Sequence, residues 1–283
     1  MASLDAFECY DHLLFEPLAE CGWDAEEVPW RNDSIDWNSY EAVIIRSPWD
    51  YQDDPIHFMN VLETIEQSSA HLENSLDVVR WNLNKGYLQE MQQKGIPIVE
   101  TRWEDSLSDE IVEDLPELFG QDEFIIKPLV SANADHTYRL DAESVAQKKE
   151  TLLRVFNKRP LMIQPFMENI IIEGEFSLFY FAGNYSHAIL KTPKKGDFRV
   201  QEEHGGHLKS VQPEPSLKAL GDRTMQMLPE TPLYARADYV RTTENKFALM
   251  ELELIEPSLY FNMDPESPRR FAKAFNKWMQ IRR

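Results

Sequence analysis

The sequence predicts an α/β fold, and three observations carry that expectation. Helix-spaced apolar segments alternate with short apolar runs through the first 80 residues, the pattern of helices laid against a sheet. The run Glu41-Ala-Val-Ile-Ile-Arg46 holds four apolar residues in a row, as in a parallel strand covered on both faces. Further along, strand-like and helix-like stretches continue to alternate, with hairpin turns added in the second half.

The elements follow in order. The first helix is expected over 11–21, with Leu13, Leu14, Leu18 and Cys21 on one side and Gly22 as its stop. A short strand is expected at 26–30. The run at 41–46 is the better strand, and it leads into Arg46-Ser-Pro-Trp-Asp-Tyr51 and a second helix at 55–67. An α/β unit ordinarily opens on a strand. Opening on a helix leaves two readings: the first strand is absent, or residues precede Met1. Residues 74–79 read as a connector and 81–94 as a helix ended by Gly95. Residues 96–101 are extended, and 105–118 form an acidic helix or loop. Phe124-Ile-Ile-Lys-Pro128 is a strand, because the residue before proline is held extended. A small polar loop covers 131–135, and another strand begins at Tyr138. A helix at 142–157 and a strand at 161–166 come next. Residues 175–181 and 186–191 form a hairpin about Gly183-Asn184. After a helix at 217–227, strands 233–241 and 247–256 pair across a Thr-Thr-Glu-Asn loop, and a basic helix covers 268–279.

A chain of 283 residues can bury a full core and suits one large or two to three small domains. Its net charge of −20 argues against a nucleic-acid or anionic-membrane surface. An anionic substrate would need a local group of Lys and Arg, or a metal, to overcome that field. The two cysteines, Cys9 and Cys21, match neither a zinc pattern nor a disulfide framework, so a reducing cytoplasm is the expected setting. No apolar run approaches a membrane span, and the N-terminus does not read as a signal peptide.

The stretch Leu249-Met-Glu-Leu-Glu-Leu-Ile-Glu-Pro-Ser258 is the most informative. In a strand, Glu251 and Glu253 point one way and Met250, Leu252 and Leu254 the other. Two like charges roughly 7 Å apart on one face repel each other unless something positive lies between them. A hard divalent cation with oxygen ligands, such as magnesium carried on nucleotide phosphates, meets that need. A solvated edge strand is the plain alternative.

Other residues keep it company. Lys127 closes an apolar strand, where a lysine either reaches the surface or meets an anion; Lys85 poses the same question on a helix. Gln164-Pro-Phe166 ends another apolar strand, and the proline frees backbone groups that suit the edge of adenine. Glu173 and Glu175 follow; one could accept ribose hydroxyls, or both could face water. The segment 191–206 gathers Lys191, Lys194, Lys195 and Arg199 in an otherwise acidic chain. Arg199 offers a donor fork for phosphate or carboxylate, and Gly205-Gly206 permits a close backbone approach. His204 could orient substrate or act as a base, or be an ordinary loop histidine. Arg236 and Asp238, two apart, share a strand face. Arg46, at the end of the 41–46 strand, is placed to hold a carboxylate, with Trp49 and Tyr51 as walls or as packing. The glycine-rich phosphate loop and the dinucleotide fingerprint are both missing from the ten-glycine sequence.

In this order, a helix lysine, a strand lysine before proline, Gln-Pro-Phe, Glu-Gly-Glu, Gly-Asp-Phe-Arg, a strand aspartate and Glu-Leu-Glu resemble the ATP-grasp superfamily. The likeness is to its glutathione-synthetase-like and ribosomal-protein-S6-modifying branch, near the O-ureido-serine cyclo-ligase subgroup of cycloserine biosynthesis. It covers roughly residues 80–258. The resemblance implies an α+β ATP-grasp architecture of three subdomains: a Rossmann-like substrate domain at 1–80, a small lid subdomain at 81–160 and a C-terminal subdomain with the metal site at 161–283. It implies that Lys85, Lys127 and Lys191 contact ATP phosphates. Gln164, Pro165 and Phe166 would form the adenine hinge, and Glu173 or Glu175 would hold ribose. Arg199 and Arg236 would neutralise developing charge, with His204 beside them. Asp238, Glu251 and Glu253 would ligate magnesium or manganese. Arg46, Trp49, Tyr51, Gly205 and Gly206 would meet the substrate. Many relatives have Glu-x-Asn where this chain has Glu251-Leu-Glu253, and a glycine-rich lid where it has 131–135. The implied reaction is ATP-dependent ligation of a small amino-acid-like or peptide carboxylate to an amine through an acyl phosphate. The partners are those small molecules, with neither nucleic acid nor membrane, and a homodimer would follow the habit of relatives. A phosphotransferase, a non-catalytic ATP-binding regulator and a carboxylate-based hydrolase are the rival readings; the last is opposed by two acids sitting two apart on one strand.

Overall fold

The computed structural model describes residues 8–131 and 136–282. Residues 132–135 of the expected polar loop lie outside that set. The strands are β1 (Ala42–Ile44), β2 (His71–Glu73), β3 (Arg102–Glu104), β4 (Phe124–Pro128), β5 (Tyr138–Leu140), β6 (Leu161–Pro165), β7 (Glu175–Phe181), β8 (Asn184–Thr192), β9 (His207–Ser210), β10 (Tyr234–Arg241) and β11 (Phe247–Glu253). The helices are α1 (Phe15–Glu20), α2 (Pro55–Glu66), α3 (Leu76–Asn82), α4 (Tyr87–Gln93), α5 (Asp109–Asp114), α6 (Ala142–Phe156), α7 (Asn169–Ile172), α8 (Pro215–Gln226) and α9 (Ser267–Arg282).

Three sheets result: a parallel pair β1-β2, a four-stranded sheet β3-β6-β4-β5 and a five-stranded sheet β11-β10-β7-β8-β9. The parallel pair agrees with the reading of 41–46. The expected strand at 26–30 is irregular instead, since neither edge of that pair takes a further strand. Strand β2 lies between the expected helix at 55–67 and the connector at 74–79, where the sequence assigns no element; its three residues are too few for an alternating pattern to register.

Three apolar cores fix the layers. Helices α4 and α8 bury Tyr87, Leu88, Met91, Leu217 and Met225 against Leu178, Ala235, Ala237 and Leu249 on one face of the five-stranded sheet. Helix α9 buries Phe271, Phe275 and Met279 against Phe179, Phe181 and Tyr234 on the other. Helix α6 buries Leu152 and Phe156 against Phe124, Ile126 and Ile163 of the four-stranded sheet.

The segment 81–94 is two helices and not one. Asn84 accepts the Gly86 amide on its side-chain oxygen (2.8 Å), a local bond that competes with the helix ladder, and Lys85 donates its amide to the Leu129 carbonyl (2.8 Å). Lys85 therefore stands on a turn between α3 and α4, facing the four-stranded sheet.

Candidate active site

Strand β11 is an edge strand, yet it is not wet. Its outer backbone is closed by side chains of α3 and α4. Tyr87 donates its hydroxyl to the Leu252 carbonyl (3.0 Å) and accepts the Leu252 amide (2.9 Å). Asn82 donates to the Leu252 carbonyl (3.0 Å) and accepts the Leu254 amide (2.8 Å). Asn74 donates to the Leu254 carbonyl (2.6 Å), and Leu249 bonds both ways with the 97–99 segment. The solvated-edge alternative therefore falls, because the edge is paired by side chains and covered.

With β11 held, register sets the chemistry. Asp238 lies opposite Glu251 and Arg236 opposite Glu253 on the β10–β11 ladder. Glu175 lies opposite Lys191 on the β7–β8 ladder. Arg236 donates to both oxygens of Asp238 (3.2 and 3.1 Å) and to Glu253; Lys191 reaches Glu175 (2.5 Å) and Asp238 (3.5 Å); Ser177 donates to Asp238 (2.5 Å). From the opposite side Lys85 donates to Glu251 (2.7 Å) and to the Ser131 carbonyl (3.1 Å). The positive charge that the two glutamates require is thus supplied in this structure by Lys85 and Arg236.

Lys85, Glu175, Lys191, Arg236, Glu251 and Glu253 border a cavity of about 240 Å³ between the two larger sheets, whereas Asp238 and Ser177 are not on its wall. The four-stranded sheet gives it Ile125, Lys127, Gln164 and Pro165; the five-stranded sheet gives Glu175, Lys191, Arg236, Glu251 and Glu253. Phe166, Met167, Phe198 and Arg199 line it further along, and Trp49, Tyr51, Glu202, Glu203 and Glu256 border it from the first segment and the loops.

Electrostatics divide the glutamates. Burial opposes the charge on Glu251, but the Lys85 and Lys127 ammonium groups outweigh it and hold the carboxyl down to about 2. Burial, aided by Asp238 and Glu251, pushes Glu253 up to about 7 against the pull of Arg236. Burial and the Glu253 charge push Glu256 up to about 8. Lys127 is lowered by burial and by Lys85, and it has no ion-pair partner among the described residues.

Several expectations are corrected by position. Arg46 is off the cavity wall: Asp11 takes its Nε and Nη2 (3.2 and 3.1 Å), the Pro257 carbonyl takes Nη2 (2.9 Å), and the guanidinium lies over Tyr234. It ties the first segment to the turn after β11. Glu173 is drawn away by Arg241 (2.9 Å), which leaves Glu175 as the cavity glutamate of the pair. His204, Gly205 and Gly206 are not on the wall either; their neighbours Glu202 and Glu203 are. Gly205 takes φ +82° to end the turn, and a Cβ on Gly206 would stand 2.0 Å from the Val200 carbonyl oxygen, so both glycines shape the loop. The Phe166 amide donates to Glu123 (3.0 Å) and its carbonyl accepts from Gln121 (3.2 Å), so its own backbone is taken and its ring, under the Arg139 guanidinium at 3.7 Å, is what faces inward. Gln164 is anchored through Nε2 to Thr101 (3.0 Å). Arg199 is on the wall with its fork closed on Asp197 (3.1 and 2.8 Å). Trp49 and Tyr51 are on the wall as expected, and Trp49 donates to the Glu256 carbonyl (2.9 Å). Glu256 was read only as part of the stretch around it; its place after an apolar pair, before proline, gave no periodic signal.

Glu251 and Glu253 each pair one oxygen with a cation. No three His, Cys, Asp or Glu side chains among the described residues converge to hold a metal by themselves. A two-carboxylate, oxygen-only set suits magnesium, which keeps waters and takes further oxygens from phosphate. Asp238 reaches such an ion only on releasing Arg236.

The comparisons agree with this arrangement. The family model described as "D-cycloserine synthetase DcsG, N-terminal domain" matches residues 1–74. The cycloserine biosynthesis protein DcsG of Streptomyces lavendulae is 29% identical over 279 residues, covering 92% of this chain and 91% of that protein. The crystal structure of D-cycloserine synthetase DcsG superposes with a TM-score of 0.83 at 26% identity, covering 95% of this chain and 94% of that one. The ATP-grasp ligase PsnB, solved with its minimal precursor, Mg and ADP, superposes with a TM-score of 0.67 at 13% identity over 95% of this chain and 93% of its own. In fold the chain is similar to the ATP-grasp ligases, and in sequence it is similar to DcsG along most of its length. Like those structures it is a mixed helix-and-sheet fold, and its cavity lies between the four- and five-stranded sheets.

Proposed function

We propose that this protein is an ATP- and magnesium-dependent ligase that joins a small amino-acid-like or peptide carboxylate to an amine through an acyl phosphate. One observation carries the reading: Lys85 and Lys127 face Glu251 and Glu253 across a single cleft between two sheets. That set can bind a polyphosphate and a hard cation together. Lys127, without an ion pair among the described residues, and Lys85 and Lys191 take phosphate oxygens. Gln164 to Phe166 border the base, and Glu175 the ribose. Glu251 and Glu253, joined by Asp238 once Arg236 releases it, would hold the metal, which would supply Lewis-acid stabilisation of phosphoryl charge. Arg236 and Arg199 then meet the negative charge on the acyl phosphate oxygens. No covalent side-chain nucleophile is needed; the protein positions and stabilises. Trp49 and Tyr51 wall the substrate end. No helix of the described residues is long and apolar enough to cross a membrane.

The retained carboxylates favour turnover over mere binding of ATP. Glu251→Gln should abolish magnesium-dependent ADP release while keeping the fold, read by coupled ADP assay and by melting. Magnesium-ATP should raise the melting temperature of the wild type. Unchanged turnover in the variant would remove Glu251 from the metal site.

A further inference from the structure

The proposed ligation leaves one step without a residue. An amine enters at neutral pH as an ammonium ion, and it must lose a proton before its lone pair can attack an acyl phosphate. Among the described residues, the cleft holds a glutamate beside the Glu251–Glu253 pair that no cation engages. Lys85 is held by Glu251, Lys191 by Glu175 and Asp238, Arg236 by Asp238 and Glu253, and Arg199 by Asp197. Glu256 lines the same cleft and has no ion-pair partner among the described residues. The groups facing it are the Tyr51 hydroxyl, Glu253 on the same segment, Lys85 from the α3–α4 turn and Arg236 from β10.

Its backbone is aimed. Trp49 holds the Glu256 carbonyl (2.9 Å), Arg46 holds the Pro257 carbonyl (2.9 Å) and Arg236 donates to the Ser258 carbonyl (3.2 Å). The first segment thus grips two successive peptide units and β10 the third, and the carboxylate lines the cleft, where aromatic Trp49, Tyr51 and Tyr260 share the wall. The other ionisable side chains that the first segment and the 197–206 loop add there are Glu8, Glu202 and Glu203 on the acidic side, with Arg199 closed on Asp197. Such a wall suits a cation and disfavours a second carboxylate.

We propose that Glu256 receives the ammonium group of the incoming amine and acts as its general base. The inference rests on the ligase reading above. In the step, the ammonium passes one proton to the Glu256 carboxylate. The freed electron pair forms the C–N bond to the acyl carbon. The C–O bond to the bridging oxygen of the acyl phosphate breaks, and phosphate leaves with the two electrons of that bond. The second proton lost by nitrogen goes to the departing phosphate, and Glu256 returns its own to solvent.

The test separates nucleophiles that need a base from one that does not. L- and D-amino acids, singly and in pairs, are screened with magnesium-ATP for ADP release, with and without hydroxylamine, which is largely unprotonated at neutral pH. In Glu256→Gln, ligation to the amino-acid amine should fall on the order of 100-fold or more, while hydroxamate formation falls less than about tenfold. Equal loss with both nucleophiles, or wild-type ligation to the amine, overturns the role of Glu256 alone. A wild-type protein that makes no hydroxamate from any acid overturns the ligase reading and this role with it. Tyr51→Phe is the second variant, used if the first is unfolded by melting. Loss of the hydroxyl that supports the charged carboxylate should move the ionisation seen in amine ligation to higher pH and leave hydroxamate formation without it. An unmoved profile counts against Glu256.

Discussion

Tyr87→Phe tests how the carboxylates of β11 are held. The ring stays buried, 2% exposed, and keeps its packing against Trp81 at 5.3 Å. Only the hydroxyl is lost, and with it two bonds to the backbone of Leu252 (3.0 and 2.9 Å). The Leu252 carbonyl retains Asn82 (3.0 Å), whereas the Leu252 amide loses the partner that closes it. A stranded buried donor costs about 1–3 kcal/mol, so a loss of about 2 kcal/mol is expected. For a chain of this size that lowers the melting temperature by roughly 4–8 °C. Leu252 lies between Glu251 and Glu253, so a relaxed strand also misplaces both acids. A displacement near 1 Å costs on the order of 100-fold in turnover. Circular-dichroism melting, urea titration and coupled ADP release read the two effects. Adding Asn82→Leu strands the Leu252 carbonyl and the Leu254 amide as well, so the double variant should lose more than the sum of the singles. Melting within about 1 °C of wild type, with turnover intact, would mean that the ladder to β10 alone holds the strand, and the account of the covered edge would be wrong.

Two further outcomes are expected. His187 lies against Phe179 (ring centroids 4.2 Å apart) with Nε2 at the Leu259 carbonyl, and burial pushes it down to about 4 from 6.5. Its folded value is the lower one, so the unfolded chain takes up the proton first as pH falls. Stability is unaffected above 6.5, erodes between 6.5 and 4, and has lost about 3 kcal/mol below that, with about 2 kcal/mol gone by pH 5. The stability difference between His187→Gln and wild type, followed by urea titration from pH 8 to pH 4, should change by that amount; a flat difference would contradict it. Gly206→Ala places a methyl group against the Val200 carbonyl and must shift the loop that carries Phe198 and Arg199. Turnover per KM for ATP should fall on the order of 10- to 100-fold with little loss of melting temperature, and an unaffected KM would show that the loop does not serve the nucleotide.

The legible parts of the chain were those whose signal is local. Strand β4 before Pro128, the β7–β8 hairpin, and the β10–β11 pair with Glu251 and Glu253 on one face could be read from alternation and turn residues. The break between α3 and α4 was less visible, because Asn84 and Gly86 sit inside an otherwise helical pattern. Lys85, Lys127, Gln164, Glu175, Lys191, Arg199, Arg236, Glu251 and Glu253 were named from order and chemistry, and all border the cleft. Arg46, Glu173 and His204 were named on the same grounds and lie elsewhere, because Asp11, Arg241 and a loop turn set their directions.

By itself the sequence determined most of the strands and helices, β2 and the break between α3 and α4 excepted, and which acids and bases share a strand face, since both follow from the two-residue period of a strand and the spacing of apolar residues along a helix. Only the tertiary structure decided which charges meet. Lys85 and Glu251 are 166 residues apart, and Asn82 reaches Leu252 across 170. Closing the edge of β11 with side chains from another segment is a long-range act, and no local pattern encodes the partner. That closure converts two glutamates that could have faced water into the floor of a cleft.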